Sequence, residues 1–255
     1  MKKPKQKTQM PDEEASVVAE IKAIIDERPT YGYRRVQAIL NQQRKVKNLT
    51  PINHKRVYRL MGVHDMLLPK YGRVKLSRTH TGKVMTLKSN LRWCSDGLSI
   101  LCDNGDQVYV AFSLDTCDRE AMRYIASTRG IDGQMIRDLM LETIEYRFQI
   151  QKTPHSVQWL TDNGPGYVAH ETVRFGRQLG LAICTTPPYS PESNGMAEAF
   201  VKTFKRDYVW VSNTSNALIV LKQLPAWFNS YNETAPHKAL KMLSPRQFIR
   251  LQSAG

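Results

Sequence analysis

The 255-residue sequence has no apolar run approaching the ~18 residues that a membrane span needs. Its basic start, Met1-Lys2-Lys3-Pro4-Lys5-Gln6-Lys7, leads into Pro11-Asp12-Glu13-Glu14 and not into an apolar stretch. A secretory signal is therefore not expected, and a cytoplasmic protein without a membrane partner is the default. Cysteine is scarce: Cys94, Cys102, Cys117 and Cys184 form no CxxC pair. They fall in predicted strands or at their ends, where buried thiols are the stronger reading and a disulfide or zinc site the weaker. There is no internal repeat and no heptad run.

Acidic residues are also scarce in one region. Residues 1–90 hold 20 Lys and Arg against 7 Asp and Glu, whereas residues 91–255 hold 17 against 16. Nearly all of the net charge of +14 thus sits in the first third. That asymmetry favours a polyanion partner through counterion release, with a solvated basic tail as the bland alternative.

Three short helices are predicted in that region. The first has apolar spacing over Ala15–Ile25, with Asp12 as its cap and Pro29 ending it. The second runs from Arg34 to Arg44. The third runs from His54 to about Val63, burying Val57, Leu60 and Met61 and leaving Lys55, Arg56 and Arg59 outside. This order fits a helix-turn-helix module whose last helix reads DNA, although small bundles without DNA contact share it. Residues 69–90 lose periodicity and read as a basic linker.

From residue 91 the texture changes. Strands are expected at Trp93–Leu101 and Gln107–Leu114, joined by the turn Asp103-Asn104-Gly105-Asp106, and at Ala121–Ser127. Then follow a helix over Ile131–Phe148, a strand over Ser156–Leu160, a helix over Glu171–Leu179 and a strand over Leu181–Cys184. A long helix from Pro191 to about Tyr208, another over Thr214–Tyr231 and a last one over Pro245–Leu251 complete the chain. The order is that of an α/β, ribonuclease H-like core with a five-stranded mixed sheet, here behind a small all-α module. The domain reading is 1–68 tail and DNA-binding module, 69–90 linker, 91–250 catalytic core with C-terminal helices.

In that order Asp96 lies in the first strand, Asp162 ends the fourth, and Glu198 lies in the long helix, with 35 residues between the last two. Such a fold brings three acids distant in sequence to one place. Clustered carboxylates raise one another's pKa, and two Mg²⁺ or Mn²⁺ ions relieve the repulsion. A metal pair ~3.5–4 Å apart suits in-line phosphoryl displacement without a covalent protein nucleophile. At 100° per residue Glu198, Lys202 and Lys205 share one stripe beside Ala197, Phe200, Val201, Phe204 and Tyr208. Each acid taken singly has an ordinary reading: a turn or edge residue for Asp96 and Asp162, a partner of Lys202 for Glu198.

The motifs Trp93-Cys94-Ser95-Asp96, Thr161-Asp162-Asn163-Gly164 and Ser190-Pro191-Glu192-Ser193-Asn194-Gly195-Met196-Ala197-Glu198 together resemble the integrase-type core of bacterial copy-out–paste-in insertion-sequence transposases, of the orfB type. Upstream, Tyr31-Gly32-Tyr33-Arg34-Arg35 and Asn53–Met61 resemble the helix-turn-helix segment before that core. Downstream, Tyr231-Asn232, Pro236–Leu240 and Ser244-Pro245-Arg246 match as well. The resemblance implies a DDE polynucleotidyl transferase with Asp96, Asp162 and Glu198 as metal ligands. It also implies Lys205 near the scissile phosphate; Lys202 on the stripe of Glu198, Lys55, Arg56 and Arg59 on the outer side of the third helix, and Arg34 and Arg35 are the further candidate DNA contacts. It implies element ends and target DNA as partners, self-association on DNA, a nucleoid-associated place in a bacterial cytoplasm, and an upstream-frame helix-turn-helix protein or fusion. With no heptad run here, end recognition and part of the dimerisation surface are expected to be missing. The sequence departs from the commoner Asp-Ile-Thr with Asp96-Gly97-Leu98, and at Glu192-Ser193-Asn194. A DNA-binding regulator and a ribonuclease H-type nuclease acting on RNA–DNA hybrids are the competing readings.

Overall fold

The computed structural model describes residues 12–69, 86–185 and 195–253. The expected N-terminal tail, most of the expected linker and the segment from Thr186 to Asn194 lie outside the described residues. The chain divides into two compact units, 1–76 and 77–255, and the division falls inside the expected linker.

The first unit has three helices: α1 Asp12–Glu27, α2 Tyr33–Val46 and α3 His54–Val63. Val17, Ile21, Val36, Leu40, Val57, Leu60 and Met61 close on one another as its core. The Asn53 side chain starts α3 by accepting the Lys55 N–H at 2.9 Å, satisfying an amide the helix leaves open. Between α2 and α3 the chain is fixed by Asn41, whose amide donates to the Ile52 carbonyl at 3.0 Å and whose oxygen accepts the Ile52 N–H at 2.7 Å.

The second unit is built on a five-stranded sheet. Its strands are β1 Arg92–Leu101, β2 Gln107–Asp115, β3 Ala121–Ser127, β4 Val157–Thr161 and β5 Leu181–Thr185, in the order β3-β2-β1-β4-β5. The β1–β2 and β2–β3 pairs are antiparallel, while β4 is parallel to β1 and β5 to β4. The β1–β2 turn is the expected one: Asn104 accepts the Asp106 N–H at 3.0 Å, and Gly105 takes the positive φ of 90° that a side chain resists. Parallel neighbours require crossovers, supplied by α4 Gly133–Phe148 after β3, and by α5 Pro165–Val168 and α6 His170–Gln178 after β4. The one-turn α5 is absent from the sequence-based expectation.

Strand alternation gives the sheet two buried faces. Trp93 and Trp159 face the α4 side, meeting edge to face at 6.4 Å. Cys94, Leu98 and Ile100 face the other layer, made by α7 Gly195–Phe204 and α8 Ala217–Thr234. That layer is dense with aromatics; Phe200 alone meets Phe112, Phe204, Phe228 and Tyr231 at centroid distances of 4.4 to 6.0 Å. The expected long helix does not run straight to Tyr208. After Phe204 it widens into a π-turn, Lys205–Val209, where the Trp210 N–H reaches back five residues to the Lys205 carbonyl at 2.9 Å. α8 starts three residues later than expected because the Asn216 side chain caps it, accepting from the Ile219 N–H at 3.0 Å. α9, Pro245–Ser253, ends the described chain. Cys94 and Cys102 are buried and Cys117 and Cys184 partly so, all as free thiols.

Candidate active site

Asp96 projects from the central strand to the α7 side, since it shares parity with Cys94, Leu98 and Ile100. The last β1–β4 rung is Cys94↔Leu160. Two residues beyond it stand Asp96, still on β1, and Asp162, the first residue past the end of β4. The Asp96 carboxylate is partly buried and accepts the Gly97 N–H at 2.8 Å. A Cβ on Gly97 would stand 2.5 Å from the Ile131 Cδ1, so in this chain Ile131 fills the space that a side chain after the acid would need.

Asp162 leaves the sheet in a turn, its Oδ1 accepting the Gly164 N–H at 2.9 Å. Pro165 then opens α5 at a position where no N–H is needed. This one helical turn delivers Tyr167 into the core, with its hydroxyl 3.1 Å from the Ser95 Oγ. Tyr167 thereby ties the turn carrying Asp162 to the residue preceding Asp96. Burial raises its phenol pKa above the ordinary value, and the charges of Asp96 and Asp162 add to the rise. Sequence reading missed Tyr167, and only the Gly164-Pro165 helix start hinted at it.

Glu198 rides on α7, which Ala197, Phe200 and Phe204 seat against the sheet. Its carboxylate is 44% exposed and lies 3.5 Å from the Lys202 Nζ, one turn along. The Asp96 pKa is pushed up to about 6, chiefly by burial and further by the charges of Asp162 and Glu198, while the Gly97 N–H pulls it back. Asp162 and Glu198 therefore each lie within electrostatic reach of Asp96.

A second group of buried acids gives a contrast. Arg147 answers Asp118 with two bonds of 3.0 Å and stands 3.3 Å from Glu120 and 3.8 Å from Asp115. Arg246 adds a 2.9 Å bond to Glu120. Those acids each have an arginine within ion-pair distance, although burial still pushes Asp115 up to about 6. Among the described residues neither Asp96 nor Asp162 has a cationic partner to offset their mutual repulsion. An all-oxygen set of this kind suits a hard divalent cation. Among the described residues no three His, Cys, Asp or Glu side chains stand close enough to enclose an ion, and Glu198 is turned to Lys202.

The other predicted positions fall out unevenly. Lys205 is half-buried at the first position of the π-turn. Lys202 is exposed and paired with Glu198. In the first unit Lys55 is exposed, but Arg56 is half-buried and lies 3.9 Å from Glu14 of α1, and Arg59 also pairs with Glu14. The outward face expected for both arginines is thus partly occupied by α1. Arg34 is exposed, its Nε donating to the Tyr33 hydroxyl at 3.0 Å. Arg35 lies over the Tyr31 ring at 3.5 Å, inside the module more than on its surface.

Integrase core domain family models match residues 87–191 and 179–245, and an HTH-like domain model matches residues 11–74. The chain is 46% identical over 239 residues to "Transposase InsD for insertion element IS2A/D/F/H/I/K" of Escherichia coli, covering 93% of this chain and 79% of that protein. It is equally similar to "Transposase InsD for insertion element IS2-9" of Escherichia coli strain K12, of which 78% is covered. Among solved structures, a chain of the simian T-cell lymphotropic virus intasome in complex with PP2A regulatory subunit B56 gamma matches with a TM-score of 0.55 at 17% identity. That match covers 90% of this chain and 73% of the other, a likeness of fold. The sheet and its helical layers are those of a ribonuclease H-like integrase core.

Proposed function

The chain belongs to the family of insertion-element transposases with an integrase core, and from that premise we propose that it cuts DNA strands at the ends of its element and joins them to target DNA, with Asp96, Asp162 and Glu198 as the triad. The observation that carries the assignment is the pair of acids at the end of the β1–β4 ladder, without a cationic partner among the described residues and with Glu198 of α7 acting on the charge of Asp96. Divalent-metal dependence belongs to this type of core; two Mg²⁺ or Mn²⁺ ions are the finer reading.

Asp96, Asp162 and Glu198 would hold the ions, which when bound offset charge on the phosphate and on the attacking and leaving oxygens. The rest of the work falls to the protein. The Gly97 and Gly164 amides fix the carboxylates by a hydrogen bond each. The Ser95–Tyr167 contact keeps the two strand ends in step. To serve as a ligand Glu198 would have to leave Lys202, and that ammonium would then be available to the DNA beside Lys205. Attack by water or a DNA 3′-hydroxyl forms one phosphorus–oxygen bond as the bond to the leaving 3′ oxygen breaks, so no side chain need act as nucleophile.

The HTH-like segment makes the chain a DNA binder, and we assign residues 1–68 to that role, 69–90 to a linker and 91–250 to the catalytic core. Self-association on DNA, an upstream-frame partner and work at the nucleoid in the cytoplasm complete the proposal. No helix among the described residues is long and apolar enough to cross a membrane. The Glu198–Lys202 pair favours one further reading, a chain inactive until DNA and metal draw the third acid in.

The test is strand transfer from oligonucleotides bearing the element's ends, under Mg²⁺, beside an RNA–DNA hybrid as control substrate. Asp96→Asn, Asp162→Asn and Glu198→Gln should each abolish transfer while leaving folding and DNA binding intact, because an amide keeps the shape and loses the charge. Near-normal transfer by any one of them would sink the triad.

A further inference from the structure

Beyond Glu198 the widened helix opens onto a cleft of about 470 Å³, whose lining includes Ser99 and Leu101 of β1, Lys205, Trp210, Ser212 and Thr214. We infer that this cleft is a second DNA subsite, in which an unpaired nucleobase stacks on Trp210 while Lys205 meets a neighbouring phosphate. The inference rests on the strand-transfer reading above and adds a specific contact to it.

Trp210 is the outlier among the four tryptophans. Trp93, Trp159 and Trp227 are buried, whereas Trp210 is 71% exposed. It is not loose: the preceding Asp207, Tyr208 and Val209 are buried, and its own N–H closes the π-turn onto Lys205. The π-turn matters to where the ring lies. Five residues of α-helix rotate through about 500°, which would leave Trp210 roughly 140° from the Lys205 meridian. Fitting five residues into one wider turn lessens that offset, and both side chains line the same cleft.

Position ties the cleft to the reacting site. Ser99 and Leu101 lie three and five residues past Asp96 on the same strand, roughly 10 and 17 Å along it. Lys205 lies seven residues past Glu198, roughly 10 Å along the helix. At about 3.4 Å per phosphate in a duplex strand, that span is a few nucleotides from the scissile bond. An exposed aromatic plane, one ammonium and the hydroxyl residues Ser212 and Thr214 suit a nucleotide, since stacking accepts any base and the polar rim accepts backbone oxygens. A second protein copy would be the rival occupant, because Leu101, Val211 and Leu218 are exposed as well. The polar lining and the continuity with the acids favour DNA over a dry protein interface.

The test uses the full chain with Trp210→Ala, Trp210→Leu and Trp210→Phe. Affinity is measured for an element end with a short unpaired flank and for the same end fully paired, and sedimentation is followed without DNA. Stacking predicts that Ala and Leu bind the flanked end about tenfold or more weakly, in the range seen for lost base–aromatic stacks, and that Phe keeps most of the affinity. The paired end should discriminate far less. Flanked-end binding by Ala equal to wild type overturns the subsite while strand transfer by wild type leaves the function standing. Retention by Leu, with dissociation of a self-associated form by Ala, makes the cleft a protein interface and also overturns it. A wild-type chain that binds neither end and transfers no strand overturns the function and the subsite together.

Discussion

A buried carboxylate signals chemistry only when the protein has declined to neutralise it. Asp118, in the turn between β2 and β3, and Asp96, within β1, both lose water on folding, yet Asp118 takes two 3.0 Å bonds from Arg147 and Asp96 takes one amide. That difference separates structural from candidate catalytic acids better than burial does. Tyr167 belongs to the same local design, and its contribution should be structural. Tyr167→Phe removes the hydroxyl that meets the Ser95 Oγ, so unfolding in denaturant should show a loss of about 0.5–1.5 kcal/mol, the worth of one hydrogen bond. Affinity for the element's end should stay constant, and a fall in affinity at unchanged stability would move Tyr167 into the DNA site. Lys205 makes the opposite prediction. Lys205→Ala should weaken end binding and slow strand transfer, with Lys205→Arg retaining part of each, while unfolding changes little. Unaltered binding and transfer at physiological salt would reduce Lys205 to surface.

At the scale of elements, α7 carries Glu198 only because its other face is anchored. Phe200 is buried among Phe112, Phe204, Phe228 and Tyr231. Phe200→Ala should cost about 3–5 kcal/mol, as large-to-small aromatic changes in cores do, and a loss below 1 kcal/mol would mean that the layer closes over the gap. α9 is held instead by charge: Arg246 bonds Glu120 at 2.9 Å and Glu233 at 2.9 Å. The hydrogen bond from Arg246 holds the Glu233 carboxyl below its ordinary value of 4.5. Its folded pKa being depressed, the stability it adds is present above pH 4.5 and is lost as pH falls through the lower folded value. The melting difference between wild type and Glu233→Gln should therefore shrink in acid; a difference that is flat or grows below pH 4.5 would contradict the linkage. Most of these elements are legible in the sequence because local chemistry decides them. Strand alternation, the Asp103–Asp106 turn and the Asn53 cap act over a few residues, and so does the Asp162-Asn163-Gly164 turn. The features that escape are decided at long range. The π-turn depends on seating Tyr208 and Val209 under α8, α5 on Tyr167 reaching Ser95, and the pairing of Arg56 and Arg59 on Glu14 of another helix. No local periodicity encodes such contacts.

Taken whole, the molecule separates charge from chemistry. Residues 1–76 carry 17 Lys and Arg against 7 Asp and Glu, and residues 77–255 carry 20 against 16. The three proposed catalytic acids thus sit in the nearly balanced unit, away from a strong positive field that would compete with metal for them, while the excess cations sit in the unit matched by the HTH-like model. Not every one of those cations is available. Arg44 is buried against Glu20 at 2.7 Å, and Arg56 and Arg59 share Glu14. The exposed remainder, Lys55 and Arg34 among them, should still dominate non-specific affinity, since each phosphate neutralised contributes about 0.9 to the slope of log K against log salt. If even three contacts come from the first unit, a chain beginning at Ser77 should have a slope shallower by roughly 3 than the whole chain. The measurement is duplex affinity between 50 and 200 mM salt, roughly the range over which counterion release is steep, with circular dichroism to verify that the shortened chain keeps its sheet. A slope unchanged by the truncation would make the first unit's charge a solvated coat, and DNA affinity would then have to be sought in the second unit, along the stripe from Lys202 to Lys205.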